Sequence, residues 1–144
     1  MTIRVLAIAG LILASLTAQN NPLCASVSTE DVTAILGASA SRTHDPSGCA
    51  WEGATHNKVL NVAYVKSPAM FEAARAGTAA KGKTEDEKGL GGPAFSTVPT
   101  SHKGERIALY CLKGNSVLIL DLDEPGATAR LPQMRDLMRK LSPK

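Results

Sequence analysis

The stretch ERIALYCLKGNSVLILDL, residues 105–122, decides the fold because it holds two strongly apolar runs around a turn. The runs 105–113 and 117–122 are rich in the branched and aromatic side chains that β-strands favour. Gly114-Asn115, which separates them, is typical of a β-hairpin turn. Both runs are apolar on both faces, so we expect this hairpin at the centre of the sheet.

Three further strands are predicted outwards from that hairpin. Residues 49–52 and 59–65 flank the polar segment 53–58 and form a second hairpin, and residues 94–98 form a weaker strand. The connections are consistent with a single, mainly antiparallel sheet of about five strands.

The first two helices are predicted from their caps. Ser28 caps the first helix, Asp31 stands at its third position, where a carboxylate favours the helix dipole, and Gly37 ends it. The second helix starts at Ser67-Pro68, with Ser67 as the cap and Pro68 at the first helical position.

A third helix is predicted over residues 131–141, where apolar side chains recur at helical spacing and cover the sheet. Its other side carries Arg135, Arg139 and Lys140, which we interpret as a solvated face, with contact to an anionic membrane as the alternative. The predicted fold is therefore α+β, in the order α-β-β-α-β-β-β-α, as a single domain over residues 27–144.

Two segments are predicted as loops. Residues 38–48 are small, polar or charged, and residues 82–93 contain a fully polar run that is followed by Gly89-Leu90-Gly91-Gly92-Pro93. We interpret 82–93 as a solvated connection, with a functional lid as the alternative. No helix start follows the glycines to hold a phosphate, and a tight turn explains them.

The N-terminus has the three parts of a secretory signal peptide. Arg4 supplies a positive start, residues 5–16 are apolar except for one serine, and a polar exit follows. We predict a signal peptide over 1–18, cleaved near Ala18, and an N-terminal extension over 19–26. A buried N-terminal strand or helix is the alternative. The protein is expected to be periplasmic or secreted.

The cysteines are interpreted in the light of this export. Cys24, Cys49 and Cys111 all fall in the mature chain, where oxidising surroundings favour disulfides, and three single pairings are open. Cys24 and Cys49 lie in loop-like sequence, whereas Cys111 lies in an apolar strand. We therefore favour a Cys24–Cys49 bond and a buried free thiol at Cys111. The residues before Cys24 do not form a lipoprotein signal, so no stable membrane anchor is expected after cleavage.

Composition excludes several classes of protein. The 144 residues suffice for one core, and 44% of them are hydrophobic. The 16 basic and 13 acidic residues give a net charge of only +3, which does not indicate a nucleic-acid binder. Aromatic residues make up 3% of the chain, too few for stacking platforms.

Candidate catalytic residues are few. His44, Asp45 and Ser47 include the residue types of a hydrolase triad, but neighbours in one loop cannot easily reach its geometry. His56 and His102 stand in polar, turn-like sequence, where an exposed structural histidine is the default interpretation. We predict that the protein is not an enzyme.

No metal or cofactor is expected. Asp121, Asp123 and Glu124 are the candidate carboxylates for a cation at one strand end. Their spacing departs from the calcium loop, so we interpret them as solvated carboxylates. The cysteines and histidines also lack the spacing of a zinc site.

Several short motifs share one family pattern: a proline–cysteine start, a capped helix that ends in Leu-Gly, a Cys-x-Trp strand, a Gly-Leu-Gly turn and a terminal helix. Here they are Pro22-Leu23-Cys24, Ser28 to Gly37, Cys49-Ala50-Trp51, Gly89 to Ala94 and residues 137–141. Together they resemble a domain of unknown function that is common in small exported bacterial proteins, many of them lipoproteins. The resemblance implies an α+β fold and a Cys24–Cys49 bond, and it brings no general activity. Leu23, the extra Cys111 and the missing lipoprotein signal depart from the pattern.

These observations favour an exported binding or interaction module of the bacterial envelope or medium, which meets an unknown partner through the exposed sheet face or the 82–93 segment. An exported hydrolase around His44 is the least favoured class. The main alternative is a carrier of small apolar ligands, with a pocket between sheet and helices lined by Met70, Phe71, Met134 and Met138.

Overall fold

A single antiparallel sheet forms the centre of the protein. The computed structural model describes residues 21–43, 48–55, 57–80, 82–98 and 105–142, with the backbone alone at residue 98. Within them the strands are β1 Ser41–Thr43, β2 Gly48–Glu52, β3 Val59–Val65, β4 Lys83–Glu87, β5 Ala94–Val98, β6 Arg106–Lys113 and β7 Ser116–Asp123. Their order across the sheet is β1-β2-β3-β7-β6-β5-β4, and every neighbouring pair is antiparallel.

The sequence-predicted hairpin lies at the middle of this sheet. Strand β7 has three strands on either side, and it pairs with β6 through a turn that joins Lys113 to Ser116. Gly114 in that turn adopts a φ of 55°, which glycine tolerates without strain. Leu118, Leu120 and Leu122 of β7 are fully buried, as expected for a central strand.

The helices are α1 Pro22–Ala25, α2 Thr29–Leu36, α3 Ala69–Ala79 and α4 Leu131–Leu141, and a short 3₁₀ turn, Ala127–Arg130, leads into α4. Helix α2 begins as predicted: the Asp31 N–H donates to Ser28 Oγ, and the Ser28 N–H donates to Asp31 Oδ2 at 2.8 Å. This capping box satisfies two N–H groups that the first turn leaves free. Gly37 ends the helix at a φ of 86°.

Three helices cover one face of the sheet and one helix covers part of the other. Helices α1, α2 and α4 pack on the larger core, to which they contribute Cys24, Ile35 and Met134. Helix α3 packs on the opposite face through Phe71, whose ring meets Phe95 edge-on at 5.1 Å between centroids. The two cores are separated by the sheet itself.

The described residues contain seven strands and four α-helices, so the expectation of about five strands and three helices was too low. Strands β1 and β4 lie in segments 38–48 and 82–93, which were expected to be loops. Both are edge strands, β1 with three residues and β4 with the sequence KTEDE. Edge strands are often short or charged because these features prevent pairing with other chains. The same features make an edge strand difficult to predict from the sequence.

The start of α3 also differs from the expectation. Pro68 occupies the position before the helix, and no side chain caps it. The N–H groups of Met70 and Phe71 donate to the carbonyls of Ser67 and Pro68, so the backbone itself satisfies the first turn. Ser67 is therefore one residue too early to act as the cap.

The predicted signal peptide, residues 1–18, lies outside the described residues. In the extension predicted over 19–26, residues 22–25 form α1. Of the helices that the structure describes, none has the length and apolar character needed to cross a membrane.

Candidate binding site

A disulfide between Cys24 and Cys49 joins α1 to β2. Their Cα atoms are 5.6 Å apart, and both residues are buried. The predicted pairing is thereby confirmed. Because the Cys24 sulfur is bonded to Cys49, it is not a free thiol.

The third cysteine, Cys111, is free and fully buried. Its Sγ donates to the Leu90 carbonyl at 3.4 Å. Burial raises the pKa of the Cys111 thiol and outweighs the opposing effects of Lys113 and Ser142. A buried thiol of raised pKa is a poor nucleophile, so this side chain serves packing.

The glycine-rich end of the 82–93 segment is fixed to the body of the protein. Leu90 is 1% exposed and belongs to the larger core, and Lys113 Nζ donates to the Gly91 carbonyl at 2.9 Å. At Gly92, an added Cβ would lie 2.2 Å from the Leu112 carbonyl oxygen. This packing anchors the glycine-rich turn, whereas most of the polar residues 83–88 are exposed, as expected for a solvated segment.

The four residues of the expected carrier pocket do not meet. Met134 and Met138 are fully buried among α4, α2 and the sheet, whereas Met70 and Phe71 lie in the core under α3. Because the sheet separates these cores, the four side chains cannot line one cavity. Their spacing reflects core packing on two different faces.

The candidate catalytic histidines lie outside the described residues, as do Asp45 and Ser47. His44, His56 and His102 therefore remain sequence candidates.

The three carboxylates at the end of β7 do not converge. Asp121 accepts hydrogen bonds from Arg106 Nε, at 2.8 Å to Oδ1 and 3.1 Å to Oδ2, whereas Glu124 is 2% exposed and accepts one from Arg130 Nε at 3.3 Å. Asp123 is exposed. In the described part of the chain, no group of three or more metal-ligating side chains is present.

The basic residues of α4 are ion-paired within the protein. Arg135 pairs with Glu87, Arg139 with Asp136 and Lys140 with Asp31. These internal partners account for the positive residues of this face without an anionic membrane.

A cleft surrounds Tyr64 at one end of the sheet. It has a volume of about 770 Å³, and α1, β3, β6 and the end of α4 contribute to it. Tyr64 is 45% exposed and is the only exposed large hydrophobic side chain of the described residues. The lining residues are Asn21, Pro22, Leu23, Tyr64, Lys66, Lys113, Leu141 and Ser142.

The charges around the Tyr64 cleft are positive. Lys113 Nζ donates to the Ser142 carbonyl at 3.3 Å as well as to Gly91, so the backbone holds this cation in place. Lys66 is exposed and has no ion pair within the described part of the chain. None of the described residues that line the cleft is acidic.

Sequence reasoning missed Tyr64 as a candidate. It follows Leu60 and Val62 on the same side of β3, and those two residues are buried. The alternation therefore predicts a buried Tyr64. The one signal against burial is Lys66, two residues further along the chain, which marks the solvent-exposed end of the strand.

A second groove, of about 380 Å³, lies where α3 leaves the sheet uncovered. Its main polar groups are Asn61, Tyr110 and the ion pair of Arg106 with Asp121. The Tyr110 ring stacks on Phe95 at 4.7 Å between centroids. This is the exposed sheet face expected from the sequence, and its charges are paired with each other.

Comparisons with known proteins give only distant structural likenesses. No protein-family model matches the chain, and no curated protein matches it. The solution structure of cyanobacterial PsbP (CyanoP) from Synechocystis sp. PCC 6803 is similar over 72% of this chain and 77% of that chain, with 10% sequence identity and a TM-score of 0.38. A similarity this distant indicates no function.

Proposed function

We propose that the protein is an exported, non-enzymatic binding module that docks a protein partner in the cleft around Tyr64. Export is supported by the predicted signal peptide and by the Cys24–Cys49 disulfide, since disulfides persist mainly in oxidising compartments. A non-enzymatic role is supported by the inert environment of Cys111 and by the ion pairs of Asp121 and Glu124.

The exposed ring of Tyr64 carries this proposal. Tyrosine is enriched among the residues that dominate binding energy because its ring buries a large apolar area and its hydroxyl still finds a hydrogen bond. Pro22, Leu23 and Leu141 provide apolar walls beside the ring. A partner side chain inserted here would remove the Tyr64 ring and the apolar walls beside it from water.

The charge of the cleft specifies the partner. Lys113 is held by two backbone carbonyls, which leaves Lys66 as the cation most available to a ligand. The occupant is therefore a protein segment that carries an apolar side chain next to a carboxylate.

Site-specific photo-crosslinking in the native host tests the proposal. A photoreactive phenylalanine analogue replaces Tyr64 in one variant and Glu72, an exposed residue of α3, in the control. We expect one discrete covalent adduct from position 64 and none from position 72. The same adduct from both positions, or none from position 64, would contradict docking at this cleft.

Binding to the partner identified in that adduct then tests the chemistry. We expect Lys66→Glu to weaken the affinity by about tenfold or more, since it places like charges together. Tyr64→Ala should weaken it similarly, whereas Tyr64→Phe keeps the ring and should retain most of the affinity. Unchanged affinity in both Lys66→Glu and Tyr64→Ala would contradict the assignment.

A further inference from the structure

A smaller pocket lies beside the disulfide, between α2 and the first two strands. Its volume is about 290 Å³, near the lower end of the range for small-ligand sites. The lining residues are Cys24, Val27, Thr29, Val32, Thr33, Ala40, Arg42 and Trp51. It does not share a lining residue with the Tyr64 cleft, so the two sites are independent.

The polar side of this pocket suits an anion. Arg42 on β1 lies opposite Trp51 on β2, and its guanidinium has no ion pair among the described residues. Thr29 and Thr33 are one helical turn apart on α2, so they bring two hydroxyls to the same wall. A guanidinium binds a carboxylate through two parallel hydrogen bonds, which hydroxyl donors can supplement.

None of the described residues that line this pocket is acidic, and Asp31 of the adjoining helix has other partners. Asp31 is engaged by the Ser28 N–H and by Lys140 on α4. Burial alone would raise the pKa of Asp31, but these hydrogen bonds outweigh it and lower the pKa, so the carboxylate stays bound in the capping box. Arg42 is therefore free to receive a carboxylate from outside.

The remaining walls are apolar. Val32 and Trp51 are buried in the larger core, and Cys24, Val27 and Ala40 complete the lining. Such walls favour a ligand with a short hydrocarbon body and give little to inorganic phosphate.

We infer that this pocket binds a small organic carboxylate, whose carboxylate group meets Arg42 while its short apolar body lies against Trp51. This ligand site goes beyond the proposed docking function and does not depend on it.

Trp51 makes the inference directly measurable because it is the only tryptophan of the chain. The oxidised mature protein is titrated with butyrate while its intrinsic tryptophan fluorescence is recorded, and butyramide and inorganic phosphate serve as control ligands. We expect the fluorescence to change saturably with butyrate. The affinity for butyramide should be lower by about tenfold or more, since the amide lacks the charge-assisted hydrogen bonds.

Matched variants locate the site. Arg42→Gln should lower the butyrate affinity by about tenfold or more. Arg42→Lys should retain part of the affinity because lysine keeps the charge but not the two parallel N–H donors of the guanidinium. Lys88→Gln removes one exposed positive charge outside the pocket and should leave the affinity unchanged. The indole N–H signal of Trp51 in a ¹H–¹⁵N spectrum provides a second readout.

The source of the carboxylate is tested with N-acetyl-dialanine, which mimics the C-terminus of a polypeptide. We expect it to bind more weakly than butyrate because burying its two amide groups against the apolar walls costs free energy. Tighter binding of the peptide would overturn the assignment to a free acid. Equal responses to butyrate and butyramide, wild-type affinity in Arg42→Gln, or no change in either readout would overturn the site itself.

Discussion

Replacing Arg135 with methionine should destabilise the protein by about 2 to 3 kcal/mol, because it removes the main partner of a buried carboxylate. Glu87 Oε2 accepts from Arg135 Nε at 2.7 Å, and Oε1 accepts from Arg135 Nη2 at 2.8 Å. The Glu87 side chain is 6% exposed and that of Arg135 is 32% exposed. Through this pair, α4 holds the edge strand β4.

The magnitude follows from these contacts. Each charge-assisted hydrogen bond has a net value of about 1.5 to 3 kcal/mol when it is shielded from water. Two such bonds would together contribute about 3 to 6 kcal/mol. Because Arg135 is about one third exposed, water partly replaces the lost donors, and the expected cost falls to about 2 to 3 kcal/mol. Methionine keeps the hydrocarbon stem of the side chain, so the change tests the charge rather than the packing.

The effect should depend on pH in a defined direction. Burial alone would raise the pKa of Glu87, but the hydrogen bonds from Arg135 and Ser96 outweigh it and hold the pKa below its ordinary value of 4.5. A depressed pKa contributes stability that is fully present above the unfolded value and is lost as the pH falls through the folded value. The difference between wild type and Arg135→Met should therefore be largest at neutral pH and shrink below pH 4.5.

Urea unfolding at neutral pH and at about pH 3.5 measures this difference. Arg139→Met is the matched control, since it removes an arginine from the same helix whose partner Asp136 is 76% exposed. The control should cost about 0.5 kcal/mol or less. Equal effects of the two substitutions, or a difference that does not shrink in acid, would refute the reasoning.

Two further outcomes are expected from unfolding measurements. Gly92→Ala should cost about 2 kcal/mol or more, because its Cβ would lie 2.2 Å from the Leu112 carbonyl oxygen; the control Gly77→Ala, whose Cβ meets nothing within 4 Å on α3, should stabilise by about 0.5 to 1 kcal/mol. A similar loss in both variants would contradict the close packing at Gly92. Replacing Cys24 and Cys49 together with serine should cost about 3.5 kcal/mol, since the bond closes a separation of 25 residues, and a loss below about 1 kcal/mol would contradict the stabilising role.

The elements that the sequence predicts well are those with local signals. Ser28, Asp31 and Gly37 define both ends of α2 within ten residues of chain, and the structure places the cap and the final glycine there. The stretch 105–122 likewise contains both strands and the turn of the central hairpin. Such elements are predictable because the groups that satisfy their backbone, or the turn that joins them, are close in sequence.

The edge strands lack these local signals. Lys83–Glu87 contains no apolar residue, and its strand conformation depends on pairing with Ala94–Val98. One of its side chains, Glu87, is also held by Arg135, which is 48 residues away. Tertiary pairing of this kind overrides local propensity, so the sequence of β4 has no alternating apolar pattern from which a strand could be predicted.

The Tyr64 cleft was less predictable than the fold because it is assembled from distant segments. The cleft around Tyr64 combines the first helix, a strand in the middle of the chain and the end of the last helix. Helical spacing identified Met70 and Met134 as buried, but it does not say which face of the sheet a helix covers. The expected carrier pocket is wrong because it combined side chains that lie on opposite faces of the sheet.

A native mass spectrum of the protein, purified from its own host without reducing agent, tests export and docking together. The wild-type protein should lack residues 1–18, show the loss of two hydrogens for one disulfide, and retain a protein partner that is absent from the Tyr64→Ala variant. A full-length, fully reduced chain would contradict export. A bare monomer in both samples, or a complex that persists in Tyr64→Ala, would contradict docking at Tyr64.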